Sequence, residues 1–299
     1  MFAAAHYITG RRFGEWSGNA ERPELDRENR CTLARRSSVD GGGTIFPDPL
    51  AIAISCEDVD AISGFVREHP EFDRLRLFTV ARSRFAEDCI TSAVARGVRQ
   101  AVLLGAGLDT FGLRNPHARK ELRVFEVDRP ETQQWKRECL AKANLQIPNW
   151  LSLVTVDFEQ QAFLERLKAV GFNDDRPTFS TWLGVVPYLS RETVFATLSS
   201  IARLPDAEVV FDYGEPVDAY PPERRARYEA MIASPAAAGE PWLSFFVPDE
   251  LEGALCAIGF GEIEDLSPRD IAIRYFGEQD PPRNAPGAHI IRARRALSS

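Results

Sequence analysis

The sequence is short of cysteine, of basic charge and of long apolar runs. The five cysteines lie far apart, at Cys31, Cys56, Cys89, Cys139 and Cys256. They form no Cys-x-x-Cys pair, which argues against a zinc site and a disulfide framework and favours reduced cysteines. Lys and Arg number 36 against 44 Asp and Glu, a formal charge of −8, which disfavours a general nucleic-acid-binding protein. No stretch approaches the ~20 apolar residues of a membrane span. Arg11 and Arg12 follow the apolar start instead of preceding it, unlike a signal peptide. We therefore expect a cytoplasmic protein with no metal site, no nucleic-acid partner and no membrane partner.

An alternation of strand and helix patterns begins near residue 76. Short apolar runs predict strands at 100–105, 123–128, 150–157, 178–183 and 207–213, and a last pair at 262–266 and 289–294. Helical spacing of apolar residues predicts helices at 78–97, 130–144, 162–170, 190–202 and 249–258. Strands that alternate with helices form a parallel sheet covered on both faces. The predicted fold class is α/β, with the last two strands as an antiparallel hairpin at the sheet edge.

Two further segments stand outside this alternation. Residues 1–75 are polar, contain helical stretches at 22–37 and 59–67 and include no central strand, so they are predicted to form an N-terminal helical cap. Residues 76–299 are predicted to form the main domain. Within it, residues 214–247 are rich in proline, arginine and small residues and are long for a connection, which indicates a lid or a substrate-shaping insertion.

A glycine turn follows the first strand, in the segment Leu104–Thr110. Gly105 and Gly107 allow a sharp turn and let a ligand approach the backbone, including that of Ala106, without a Cβ in the way. A dinucleotide-binding loop has a third glycine, which here is Thr110. The loop therefore departs from the pattern of an NAD-binding loop. A purely structural turn is the alternative to a ligand-binding turn.

Carboxylates end the next two strands. Asp128 ends the second strand, with Glu126 on the same face, and a carboxylate there can accept hydrogen bonds from a ribose diol. Asp157 and Phe158 end the third strand, where a carboxylate and a backbone N–H can hold an adenine ring. Capping of the following helices is the alternative for both aspartates. Because parallel strands end at one edge of the sheet, the joint pattern favours S-adenosylmethionine over NAD.

The motifs together resemble those of a known family. The matching segments are Phe46–Ala51, Ala81–Ser83, Leu104–Thr110, Phe125–Asp128, Val156–Phe158, Pro177-Thr178, Tyr188-Leu189 and Arg274–Phe276. In these segments the chain resembles the leucine carboxyl methyltransferase family of class I S-adenosylmethionine methyltransferases, whose bacterial branch contains many O-methyltransferases. The resemblance spans roughly residues 30–295. It implies a Rossmann-like fold with a mostly parallel, seven-stranded sheet, and S-adenosylmethionine as cofactor.

The resemblance also implies roles for single residues. Arg82 would clamp the methionine carboxylate of the cofactor, since a guanidinium and a carboxylate pair in a bidentate manner. The other implied cofactor contacts are backbone at Gly105, Ala106 and Gly107, ribose at Asp128 with Glu126 nearby, and adenine at Asp157 and Phe158. Without the resemblance, Arg82 would be interpreted as a charge on the surface of a helix.

One position in the cofactor site departs from the family. Where the family has a Glu that holds the amino group of the cofactor, this chain has Leu183, followed by Gly184. Loss of one charge-assisted hydrogen bond weakens binding by about 1.5–3 kcal/mol, or one to two decades in affinity. The alternative function is therefore a methyltransferase fold with altered chemistry or with a binding role alone. An NAD-dependent oxidoreductase is a third hypothesis, which Thr110 disfavours.

The acceptor site is expected near the cap and the insertion. The candidate substrate residues are Tyr188 and Tyr213, interpreted as following strand ends, together with Trp242, Phe246 and Arg225. Core packing is the alternative for the aromatic residues, and a solvated helix face is the alternative for Arg225.

No histidine is predicted at a strand end. A carboxylate acceptor, which is ionised at neutral pH and needs no general base, is therefore favoured over a hydroxyl. We assign no catalytic residue. A small secondary-metabolite acceptor is favoured over a protein C-terminus, and the oligomeric state stays open.

Overall fold

Seven strands form one sheet within the residues that the computed structural model describes, which are 45–55, 73–156, 163–237 and 241–295. The strands are β1 Gln100–Leu104, β2 Arg123–Asp128, β3 Leu151–Thr155, β4 Thr178–Trp182, β5 Glu208–Gly214, β6 Phe260–Leu266 and β7 Ala288–Arg295. Their spatial order is β3-β2-β1-β4-β5-β7-β6. The first five strands pair in parallel, while β7 is antiparallel to both β5 and β6. The predicted parallel sheet with an antiparallel edge hairpin is confirmed.

Helices cover both faces of this sheet. They are α1 Ala51–Ile54, α2 Asp73–Ala95, α3 Phe111–Arg114, α4 Pro130–Lys142, α5 Phe163–Lys168, α6 Arg191–Ala202, α7 Pro222–Ala237, α8 Pro248–Ile258 and α9 Pro268–Phe276. The Ser190 hydroxyl caps α6 by accepting the Thr193 N–H. Gly259 ends α8 in a left-handed conformation with φ 117°. None of the helices in these ranges combines the length and the apolarity needed to cross a membrane.

The predicted cap lies mostly outside the described residues, including its helical stretches at 22–37 and 59–67. Helix α2 begins at Asp73, so the boundary predicted between residues 75 and 76 falls inside a helix. The predicted insertion at 214–247 begins with the last residue of β5 and contains a 3-10 turn at Val217–Ala219 and helix α7. Its role as a lid stays a prediction.

The hydrophobic core lies on both faces of the sheet because successive strand residues point to opposite sides. In β2, Phe125 and Val127 pack on one side and Val124 on the other, and all three are buried. All five residues of β1 are buried, as expected for a central parallel strand. β1 lies between β2 and β4. The chain therefore runs toward one edge of the sheet after β1, to β2, and toward the other edge after β4, to β5. Open α/β sheets bind ligands at the carboxyl ends of strands beside such a change of direction.

Candidate functional site

The glycine turn after β1 has the backbone geometry that the sequence predicts. Gly105 and Gly107 have φ of +65° and +51°, which is the left-handed region that favours glycine. A Cβ on Gly105 would overlap the side chain of Val185, so only glycine fits there. A Cβ on Gly107 would meet no described atom within 4 Å. The turn is therefore packed on one side at Gly105 and open at Gly107.

Asp128 lies directly beside this turn. Its Oδ2 accepts the Gly107 N–H at 2.7 Å, and its Oδ1 accepts the Arg129 N–H at 2.8 Å. The second contact places Asp128 at the start of α4, and the first ties it to the glycine turn. The predicted juxtaposition of the glycine turn and the acid that ends β2 is thus present in the structure.

Glu126 lies under the turn and away from solvent. Its side chain is fully buried and forms an ion pair with Lys136 of α4, whose ammonium also donates to the Asp109 carbonyl at 2.6 Å. Burial raises the pKa of Glu126 to about 7, against the opposing charge of Lys136. These contacts give Glu126 a role in supporting the turn from below. Its predicted proximity to a cofactor stays a prediction.

Thr110, which stands where a dinucleotide loop has its third glycine, has a structural partner. Its buried hydroxyl donates to Asp48 Oδ2 at 2.6 Å. Asp48 also accepts the N–H groups of Leu50 and Ala51, each at 3.2 Å, at the start of α1. The Phe46–Ala51 motif is therefore joined to the glycine turn through Thr110, a contact that sequence reasoning missed.

A second charged group lies across the carboxyl edge, at the ends of β4 and β5. Arg82 of α2 donates from Nη1 to Asp212 Oδ2 at 2.9 Å, and the Gly184 N–H donates to Asp212 Oδ1 at 2.6 Å. Gly184 has φ +70°, and a Cβ there would lie 2.7 Å from Arg82 Nη2. Arg82 Nε is buried and has no hydrogen-bond partner among the described residues. The guanidinium thus rests on a bare glycine turn with donor capacity remaining.

Two of the predicted substrate aromatics form a pair after β4. Tyr188 and Trp242 are both half-buried and meet edge to face, with ring centroids 6.3 Å apart. Trp242 Nε1 is buried without a hydrogen-bond partner in the described part of the chain. The segment after Trp242 is fastened to the turn after β4, since the Leu243 N–H donates to the Pro187 carbonyl at 2.6 Å.

Tyr213 and Phe246 belong to the core. Tyr213 was expected to follow a strand end, but β5 continues through it to Gly214, so that expectation is wrong. Both side chains are 1% exposed and pack edge to face at 6.1 Å. Strand alternation turns Tyr213 to the face opposite Asp212. The structure therefore places these two rings behind the edge that carries Arg82.

Arg225 lies at the start of α7. Its Nη2 donates to the carbonyls of Asp218 and Tyr220, each at 3.1 Å. It also lines an open surface groove together with Pro282 and Pro286. Its contacts within the described residues hold the turn before α7, and attraction of an anionic acceptor stays a prediction.

His289 is a residue that the sequence interpretation misplaced. Because β7 is antiparallel, its first residues lie at the carboxyl edge, where His289 pairs in register with Tyr213. Its Nδ1 lies 3.1 Å from Asp265 and its Nε2 lies 3.2 Å from Glu215. Burial opposes the imidazolium, but the hydrogen bonds to the two carboxylates outweigh it, so the pKa of His289 lies above its ordinary value. Both ring nitrogens are held, so the imidazole is not placed as a free base.

The leucine carboxyl methyltransferase family model matches residues 34–202, which is more than half of the chain. The chain belongs to the leucine carboxyl methyltransferase family. The match includes the glycine turn, Asp128 and Arg82, and it ends at the last residue of α6. The resemblance inferred from the motifs is confirmed.

One curated relative and two solved structures illustrate the similarity. A Bacillus subtilis (strain 168) protein named "Putative S-adenosyl-L-methionine-dependent methyltransferase YktD" is 37% identical over 202 residues, which are 67% of this chain and 66% of that protein. A solved structure titled as a putative methyltransferase from Thermobifida fusca YX has a TM-score of 0.54 at 18% identity, covering 95% of this chain and all of the other. A DUF574 family protein from Streptomyces avermitilis MA-4680 has a TM-score of 0.52 at 17% identity, covering 88% and 97%. The two structures confirm the Rossmann-like fold.

Leu183, the predicted point of departure from the family, directly follows β4. Its side chain is half-buried and packs against the apolar cluster beneath α2. Asp157 and Phe158, the two predicted adenine contacts, lie outside the described residues. The predicted cofactor contacts that the structure describes are Arg82, Gly105, Ala106, Gly107, Glu126, Asp128 and Leu183.

Proposed function

We propose that this chain is an S-adenosylmethionine-dependent O-methyltransferase of the cytoplasm, which methylates a carboxylate or hydroxyl of a small-molecule acceptor. The observation that carries the proposal is the contact between Gly107 and Asp128 after β1 and β2, together with Arg82 beside β4 and β5 at the same carboxyl edge. The curated relative and the family name agree with a methyltransferase. The chain spans 66% of the length of that relative, so its activity is inferred from its own site residues.

The described residues fit an adenosyl cofactor with an amino-acid end. At Gly107 a Cβ would meet none of the described atoms within 4 Å, so a ligand can approach the backbone there. Arg82 Nε has no hydrogen-bond partner among the described side chains and backbone, and it supplies a donor for a ligand carboxylate. Asp128, fixed by two backbone N–H groups beside the glycine turn, would hold the ribose. Asp157 and Phe158 would hold the adenine, as the family resemblance implies.

The chemistry needs little from the protein beyond position. When bound, the cofactor supplies a sulfonium methyl group that is already activated for transfer. The chain orients the acceptor oxygen behind that methyl group and excludes water from it. Tyr188 and Trp242 would wall the acceptor, and Trp242 Nε1, which has no partner within the described ranges, would donate a hydrogen bond to it. His289 is engaged at both nitrogens, which favours an acceptor that has no proton to remove, such as a carboxylate.

Calorimetric titration with S-adenosylhomocysteine tests the cofactor half of the proposal. We expect binding by the wild-type chain, and at least tenfold weaker binding by Arg82→Met and by Asp128→Asn. Arg84→Met is the matched control, because Arg84 lies on the same helix but pairs with Asp88 at 3.0 Å on the surface. No heat with the wild-type chain, or equal losses in all three variants, would contradict the proposal.

Incubation with methyl-labelled S-adenosylmethionine and a panel of carboxylic acids and phenols tests the acceptor half. A methyl ester releases labelled methanol in alkali, whereas a methyl ether does not. We expect an alkali-labile product. Cofactor binding without transfer to any oxygen acceptor would favour the alternative, a family member with a binding role alone.

A further inference from the structure

Leu183 leaves one end of the proposed ligand without a partner. The amino-acid end of S-adenosylmethionine is a zwitterion, so its ammonium group needs hydrogen-bond acceptors just as its carboxylate needs donors. Arg82 supplies the cation, but the Leu183 side chain has no acceptor and packs on the apolar cluster beneath α2. An acceptor for the ammonium group must therefore come from a neighbouring element.

Asp212 of β5 is the carboxylate beside that position. Trp182, the last residue of β4, pairs in register with Phe211, so the residues that follow, Leu183 and Asp212, are neighbours across the two strands. The Gly184 N–H donates to Asp212 Oδ1 at 2.6 Å, which fixes the carboxylate against the turn after β4. Asp212 therefore lies one strand away from the position of Leu183, at the same edge of the sheet.

The carboxylate retains capacity for a further donor. An ionised carboxylate accepts about four hydrogen bonds. Asp212 accepts two among the described residues, from Gly184 and Arg82. It is 5% exposed, and burial of a charge with a single cationic partner is costly unless other donors complete its shell. The missing Cβ at Gly184 gives the Arg82 guanidinium room to lie beside the turn after β4.

We propose that Asp212 accepts the ammonium group of the amino-acid end of S-adenosylmethionine, while Arg82 holds its carboxylate. This inference rests on the proposed function, since it assigns a residue to the same ligand. The competing role for Asp212 is to orient Arg82 without touching the ligand. The two roles differ in which ligand group Asp212 recognises, so ligand analogues separate them.

The experiment measures Kd by calorimetry for wild type and Asp212→Asn with four ligands. These are S-adenosylhomocysteine, its analogue without the amino group, its analogue without the carboxylate, and 5′-methylthioadenosine, which lacks both. We expect Asp212→Asn to weaken the two amine-bearing ligands by about ten- to hundredfold and to change the other two by less than twofold. Equal weakening of the analogue without the amino group would assign Asp212 to positioning Arg82 and overturn the inference.

Two further measurements keep the test decisive. The wild-type chain alone must bind S-adenosylhomocysteine at least tenfold more tightly than the analogue without the amino group, and equal affinities would overturn the inference even if Asp212→Asn did not fold. Leu183→Glu, placed in the Asp212→Asn background, is expected to recover at least half of the lost binding free energy, and no recovery counts against the assignment. Failure of the proposed function is distinct, since the wild-type chain would then bind none of the four ligands.

Discussion

The two ends of β5 carry the same pair of chemical groups in different surroundings. At the amino end, Glu208 pairs with Arg96, the residue that follows α2, and at the carboxyl end Asp212 pairs with Arg82 inside α2. The two arginines are 14 positions apart, or about 21 Å along a helix. Helix α2 therefore brings an arginine to a carboxylate at each end of one strand.

The two pairs differ in how completely the carboxylate is used. Glu208 is fully buried, and each of its oxygens meets an arginine, Arg96 on one side and Arg292 at 2.5 Å on the other. In the described part of the chain, Asp212 has one arginine and one backbone N–H as partners, and Nε of that arginine has no partner. A closed pair can only stabilise the fold, whereas an open pair at the carboxyl edge can also bind a ligand.

The largest expected effect comes from breaking the closed pair. Glu208→Gln removes the buried anion that Arg96 and Arg292 share and leaves Arg292 with the more distant Glu262, at 3.8 Å. We therefore expect a loss of about 3 kcal/mol in the free energy of unfolding, measured by urea denaturation. Binding of S-adenosylhomocysteine by the folded fraction should not change. Glu223→Gln, at an exposed position on α7, should leave both quantities unchanged. A loss of ligand affinity in Glu208→Gln would show that the two ends of β5 are not independent.

Substitution of Gly184, which lies against the ion pair of Arg82 and Asp212, gives the next largest expected effect. Gly184 and Gly277 have nearly the same backbone conformation, with φ of +70° and +68°, so alanine costs about 1–2 kcal/mol of stability at either position. A Cβ at Gly184 would also meet Arg82 Nη2 at 2.7 Å, whereas one at Gly277 would meet no atom of the described residues within 4 Å. We therefore expect Gly184→Ala alone to weaken S-adenosylhomocysteine binding, by about tenfold in a calorimetric titration. Equal affinity in the two variants would mean that Arg82 can move away at no cost.

Local sequence patterns predict the glycine turn at Leu104–Thr110 but not the ion pair between Arg82 and Asp212. The glycine turn and Asp128 follow directly from buried apolar runs that end in glycine and in an acid, because parallel strands end at one edge. The sequence predicts Asp212 only as part of a strand. Its partner Arg82 is 130 positions away, and no local sequence pattern indicates their contact. The ion pair of Glu126 with Lys136 spans only 10 positions, but the sequence does not show which residue of the following helix faces Glu126.

Orientation of the last strand explains the other error. The edge hairpin was predicted, yet the consequence for His289 depends on direction: only an antiparallel β7 brings its first residues to the carboxyl ends of the other strands. The same register places Tyr213 within β5, opposite His289, and turns it into the core. Local sequence predicts where strands form. Which residues become neighbours across the sheet depends on the order, direction and register in which the strands pair.

His289 gives the smallest expected effect and sharpens the distinction between closed and open groups. It lies at the carboxyl end of β5, like Asp212, but Asp265 and Glu215 occupy both of its nitrogens, and the Tyr213 hydroxyl donates to Asp265 at 2.5 Å. A group whose polar atoms all have partners should stabilise the fold without binding ligand, even at the carboxyl edge. We therefore expect His289→Gln to change stability and to leave S-adenosylhomocysteine binding unchanged. Because the pKa of His289 is raised in the folded chain, its contribution is complete below the ordinary histidine pKa and disappears as pH rises through the folded value.

The measurement is the free energy of unfolding of wild type minus that of His289→Gln, between pH 6 and 9. We expect this difference to shrink as pH rises. His117→Gln is the matched control with the opposite sign, since burial and then Lys120 lower the pKa of His117. Its difference should grow as pH rises from below the ordinary histidine pKa, because folding favours the neutral ring. A difference for His289→Gln that grew with pH, or a loss of ligand affinity, would mean that the imidazole is an open group belonging to the site.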